Sequence, residues 1–217
     1  MKTAKAILIL AGALLLLFYS GSSRADTITL NLGNAAISGY PSPYASVDVS
    51  LSDSTHATIT FTAADNYTMG DGSTVALNVH AVSFTASSLT ETNKFSGFSP
   101  NFILFNYGSQ TVDGFGTFNF TIDNKDGWGD SATTVTFTLI NNSGTWGSDA
   151  DVLIANAGGF TAASHIFVPY AIPPTVAGGA VATGYATNVA VPEPGTLIFL
   201  GIAMSAVGIV SRYVRKI

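Results

Sequence analysis

The chain has 217 residues and a formal net charge of −5, with only 10% charged and 47% hydrophobic residues and a positive mean hydropathy of +0.39. Between residues 26 and 191 stand twelve carboxylates against two lysines, Lys94 and Lys125, so that segment carries −10 and no arginine. This balance excludes ordinary nucleic-acid binding, which needs clustered cations, and docking on anionic lipid; the lack of cysteine removes disulfides, thiolate zinc sites and cysteine nucleophiles.

At the N-terminus, Lys2 and Lys5 precede an apolar run from Ala6 to Tyr19, which gives way to the small residues Gly21, Ser22, Ser23 and Ala25 around Arg24. This order predicts a secretory signal peptide over residues 1–25, cleaved between Ala25 and Asp26 and delivered through the Sec translocon. The 14 residues of the run are short for a bilayer span, which takes about 20.

Residues 26–172 read as one all-β domain. From 26 to 191 there are 23 Thr, 17 Ser and 13 Asn, whereas Glu, Gln, Lys and Arg together number four. The long polar residues that clothe surface helices are missing, and threonine suits a pleated strand. Apolar residues alternate with polar ones at Ile28–Leu32, Val47–Leu51, Ile59–Phe61, Val75–Val79, Phe118–Ile122 and Val135–Leu139. Such period-two runs predict half-buried strands. Phe102–Phe105, Val152–Ala155 and His165–Tyr170 add three more, for about nine strands in an antiparallel β-sandwich or jelly roll. The strands Thr117–Asp123 and Thr133–Ile140 are predicted to pair as a hairpin around Asp126-Gly127, because Asp-Gly supplies the positive φ of a tight turn.

Several residues are candidates for chemistry. Asp123, Asp126 and Asp130 share one loop, and clustered carboxylates attract hard cations such as Ca²⁺. EF-hand spacing fails, because placing Asp126-Gly127 at the fifth and sixth positions puts Ile122 at the first. Asp149 and Asp151 would share a face in a strand, as a glycosidase pair requires, but Gly147-Ser148 before them reads as a turn. His56, His80 and His165 lack metal-ligand spacing, and no G-x-S-x-G elbow or phosphate loop exists. No cofactor and no catalytic residue is expected. Trp128 and Trp146 lie beside glycines and polar residues in turns, where aromatic rings can stack on sugars or cap a sheet end. The threonine rows Thr58, Thr60, Thr62 and Thr134, Thr136, Thr138 could order water or polysaccharide, or serve only as a soluble strand face.

Residues 173–191 are small and nearly uncharged, and are predicted to be a flexible spacer, although a short strand near Val181–Tyr185 would pair with the sheet. Pro192-Glu193-Pro194 then precedes an apolar stretch from Leu197 to Val210 and the basic residues Arg212, Arg215 and Lys216. From Gly195 to Ser211, a helix would reach about 25 Å, which spans a bilayer once Arg212 snorkels. The basic tail orients that transmembrane helix with its C-terminus in the cytoplasm and residues 26–191 outside.

Triplet, short Gly-containing helix and basic tail together resemble the PEP-CTERM sorting signal of Gram-negative bacteria, over residues 192–217 only. One departure is Tyr213-Val214 between the basic residues. The resemblance implies an exosortase-type membrane protease as partner, transient anchoring in the inner membrane, and release to the cell surface or an exopolysaccharide and biofilm matrix. The expectation is therefore an exported, non-enzymatic surface or matrix protein; the alternative is a secreted carbohydrate-binding module or glycan hydrolase.

Overall fold

A chain rich in threonine and in alternating apolar residues satisfies its backbone by pairing strands. The computed structural model describes residues 26–189 apart from 103, 107 and 126. The strands are, in order, β1 (Asp26–Leu30), β2 (Leu32–Gly33), β3 (Ala45–Asp53), β4 (His56–Ala63), β5 (Thr68–Met69), β6 (Val75–Leu77) and β7 (Phe84–Thr92). They continue with β8 (Leu104–Asn106), β9 (Gln110–Val112), β10 (Gly116–Phe118), β11 (Phe120–Asp123), β12 (Thr134–Asn141), β13 (Ala162–Pro169) and β14 (Ala180–Thr187). Short 3₁₀ turns at Ala35–Gly39, Trp128–Asp130, Asp149–Asp151 and Val176–Gly178 provide the only helical backbone among the described residues. None of these is long and apolar enough to cross a membrane.

The fold is all-β and antiparallel, with a sandwich-like arrangement of two main sheets. The first has the order β1-β3-β4-β12-β7; the second has β2-β14-β13-β6-β11-β8, with β5 also paired to β13. Leu30, Val47, Ile59, Phe61 and Phe137 from the first sheet share one core with Leu77, Ile122, Ile166 and Ala186 from the second. Phe120 joins the layers, its ring centroid 5.4 Å from that of Phe137 and 5.9 Å from that of Phe84.

The two outer faces differ. The β9–β10 hairpin lies over the outside of the second sheet, where Val112, Phe115 and Phe118 pack on Ala76 and Ala163. The first sheet keeps its outside for solvent, and β12 alternates half-buried and buried residues along its whole length. This is the pattern that period-two reading detects.

Four expectations are corrected. The segments 117–123 and 133–140 do not form a hairpin: β11 pairs with β6 and β8, while β12 pairs with β4 and β7. Gly127 does adopt a positive φ of 123°, but its loop carries the chain from one layer to the other. Residues 152–155 are not a strand, because the 3₁₀ turn at Asp149–Asp151 precedes them and Leu153 makes only an isolated bridge to Val79. The stretch read mainly as a spacer contains β14, which includes the short strand anticipated near Val181–Tyr185 and pairs with β13 from Ala163↔Thr187 to Pro169↔Ala180. It therefore belongs to the β domain, and its small residues are packed rather than loose. The strand count is also higher than nine, because several members span only two or three residues.

Candidate functional site

The expected signal peptide with Ala25, and the sorting residues Pro192, Glu193, Pro194, Arg212, Arg215 and Lys216, lie outside the described residues. Asp26, the other side of the expected cleavage, is the first residue of β1 and is exposed.

Trp146 lies on the floor of a cleft of about 490 Å³ whose walls include Val79–Val82, Asn141 and Asp151. The indole is 3% exposed, and its Nε1–H donates to the His80 carbonyl at 2.8 Å. Its backbone N–H donates to the Ser54 carbonyl at 2.7 Å, so both donors are engaged within the domain. His80 stands exposed at the rim, with Nδ1 donating to the Asp151 carbonyl at 3.1 Å. That bond leaves Nε2 as the ring nitrogen able to meet a ligand. Asp151 accepts from the Ser148 hydroxyl at 2.9 Å, while Asp149 is buried and accepts from the Leu51 N–H. The two carboxylates serve different partners, Asp149 the backbone of β3 and Asp151 the Ser148 hydroxyl in the loop. The site can offer hydrogen bonds to a small polar ligand, but it does not pair these two acids.

Trp128 is half-buried in its 3₁₀ turn, with Phe98 at 5.1 Å and Phe167 at 5.8 Å, both edge-on. Its Nε1–H donates to the Thr175 carbonyl at 3.0 Å. Both tryptophans thus fill structure made by their own chain, and neither is an open stacking platform.

Of the proposed calcium ligands, Asp123 accepts from the Ser73 N–H and Asp130 lies 4.0 Å from Lys125 Nζ; Asp126 is outside the described residues. Among the described residues no group of three His, Cys, Asp or Glu is placed to hold a metal ion. Each histidine has its own neighbourhood: His56 bonds Asp53 at 3.0 Å, His80 the Asp151 carbonyl, and His165 the Asp71 carbonyl and Thr183 hydroxyl.

A second cleft, of about 460 Å³, lies among Tyr40, Pro41, Pro43, Tyr67, Val168 and Ile172. The tyrosine hydroxyl of Tyr67 donates to the Pro41 carbonyl at 2.7 Å. No motif pointed to it, because its walls come from three separated segments.

Sequence reading also missed the turn at Asp71, Gly72 and Ser73, which have φ values of 56°, 44° and 51°. Asp71 and Ser73, unlike Gly72, are strained in this left-handed conformation, and surrounding side chains hold the turn. Asn124 Oδ1 accepts from Asp71 N–H at 2.6 Å, His165 Nδ1 donates to the Asp71 carbonyl, and the Tyr185 hydroxyl donates to the Gly72 carbonyl at 2.9 Å. Burial pushes the Tyr185 hydroxyl above its ordinary pKa, and the negative charges of Asp123, Asp71 and Asp113 add to the effect. Gly70-Asp71-Gly72-Ser73 signals a turn in the sequence, but nothing in it signals the partners.

Comparison with protein-family models, with curated proteins and with solved structures finds no match.

Proposed function

We propose that this chain is an exported, non-enzymatic surface or matrix protein, held briefly at the inner membrane and processed by an exosortase-type protease near Pro192-Glu193-Pro194. The observation that carries the reading is the order of the two sequence addresses around one β domain: Lys2, Lys5 and the apolar run Ala6–Tyr19 precede it, and its last strand, β14, closes at Thr187, five residues before Pro192. A domain bounded in this way would keep its whole sheet after both ends were removed. The acids that most resemble a catalytic pair support the non-enzymatic reading, since Asp149 is spent on the Leu51 N–H.

Replacing Pro192, Glu193 and Pro194 by alanine in the producing cell tests the proposal. The wild-type chain should reach the medium or cell surface, and the triple variant should accumulate in the membrane fraction. Equal release of both would contradict it.

A second reading, carbohydrate binding, is favoured by the cleft that joins Trp146 to His80 and Asp151. It expects tryptophan fluorescence to change on titration with soluble polysaccharide. The first reading expects no change.

A further inference from the structure

Strand pairing assembles the outer face of the first sheet into rows of hydroxyls. Thr58, Thr60 and Thr62 of β4 stand directly opposite Thr138, Thr136 and Thr134 of β12. The middle row continues across all five strands as Thr27, Asp48, Thr60, Thr136 and Thr90. All five are exposed or half-buried. The row above adds Ser46 beside Thr62, and the row below adds Ser50 beside Thr58. The sole charge in these three rows is Asp48, which accepts from the Thr27 hydroxyl at 2.6 Å.

Chemistry narrows what such a face can meet. The rows contain no cation for an anionic polymer and no aromatic ring on which a sugar could stack. Threonine is branched at Cβ and has few χ1 states, so its hydroxyl and methyl are held in place by the strand. A rigid, two-dimensional array of hydroxyls with a single charge, at Asp48, suits a partner that is itself an array.

The spacing is compatible with one such array. A water molecule hydrogen-bonded at roughly 2.8 Å to two neighbours, at the tetrahedral angle, holds those neighbours about 4.6 Å apart. Adjacent strands stand about 4.8 Å apart, close to that second-neighbour distance. Where two hydroxyls turn toward each other, as Thr60 and Thr136 do at 3.2 Å, they approach a first-neighbour contact instead. Both separations belong to a tetrahedral water network. Sheet twist of about 20° per strand confines the best match to neighbouring strands, and β4 and β12 are the pair that carries threonine at every position of the array.

We propose that this face binds the surface of ice, with the six threonines of β4 and β12 as its centre. The proposal is independent of how the chain is sorted.

Slow growth of ice from a dilute solution of the purified full chain, followed by assay of protein in ice and in the remaining liquid, tests it. The wild-type protein should be enriched in ice, and Thr60→Lys/Thr136→Lys should lose that enrichment while keeping its far-UV circular dichroism. Thr111→Lys should behave as wild type, because Thr111 and Thr117 form a similar hydroxyl pair at 3.1 Å but on the isolated β9–β10 hairpin. If the double variant fails to fold, Thr58→Lys, at an exposed position, carries the same expectation of lost enrichment. Exclusion of the wild type from ice, equal enrichment of wild type and folded variant, or retention on insoluble cellulose through these threonines without retention in ice would each overturn the proposal.

Discussion

Asn124 shows how a single polar side chain can hold two loops in place. It is 5% exposed; its Oδ1 accepts from Asp71 N–H at 2.6 Å and from the Thr74 hydroxyl at 3.2 Å, and its Nδ2 donates to the Asp130 carbonyl at 2.7 Å. Asn124→Ala withdraws all three bonds from a left-handed turn that cannot relax cheaply. It should destabilise the domain by about 2–4 kcal/mol, visible as a lower midpoint in urea unfolding. Glu91 acts in the opposite sense. It pairs across from Val135, which is fully buried, and burial pushes its carboxyl above the ordinary value although a backbone bond from Phe102 offsets part of the shift. A raised carboxyl binds its proton more tightly folded than unfolded, so ionisation opposes folding above the folded pKa and the penalty vanishes once both states are protonated. Glu91→Gln should therefore raise Tm at pH 7 and have little effect below about pH 4. Asp53 has the reverse linkage. The His56 ring, then the Thr55 N–H and hydroxyl, hold its carboxylate well below the usual range, so its contribution is present at neutral pH and lost in strong acid.

Strands that face water on one side gave the clearest alternation in the sequence, whereas strands covered on both sides were legible only as short apolar runs, such as Val75–Val79 for β6 and His165–Tyr170 for β13. β3, β4 and β12 alternate because one face meets the core and the other meets solvent. β13 is buried at seven of its eight positions, since the β9–β10 hairpin and the Trp128 ring lie over its outer side, and it shows no alternation. β7 escaped notice for a different reason: Ser88 has a φ of 55° and the register against β12 shifts there, which breaks the period mid-strand. β14 was legible only as a short strand near Val181–Tyr185 within an apparent spacer, because alanine and glycine carry no pattern. Their smallness reflects close approach. A Cβ on Gly184 would stand 2.8 Å from the Asn34 carbonyl oxygen and 3.1 Å from Asn34 Oδ1, and Asn34 is pinned there by its N–H donating to the Tyr185 carbonyl and its Oδ1 accepting from the Tyr185 N–H. Gly184→Ala should cost about 1–3 kcal/mol, whereas Gly39→Ala, which meets nothing within 4 Å, should leave thermal unfolding unchanged. The candidate site was less legible than the fold. Trp146 and Asp151 could be named from their turns, but their union with His80 depends on a pairing of distant segments. The hydroxyl array had its two threonine runs in plain view, 76 residues apart at Thr60 and Thr136, and only the register between β4 and β12 makes them one surface.

At the scale of the whole molecule, composition resolves into parts with different tasks. The low overall charge of −5 averages an acidic β domain with basic residues near both ends. Within the domain, the β9–β10 hairpin covers part of the outer face of one sheet, while the other sheet leaves its hydroxyl rows to the surroundings. A β domain without disulfides must rely on such a core for stability, and here aromatic rings such as Phe120 and Phe137 bind the layers together. On the proposed sorting, both ends are removed while the β domain is retained. Intact mass spectrometry of the protein recovered from the culture medium distinguishes this from simple secretion. A form that begins at Asp26 and lacks Arg212 to Ile217 is expected; a secreted form that still carries Arg212 to Ile217 would rule the sorting out.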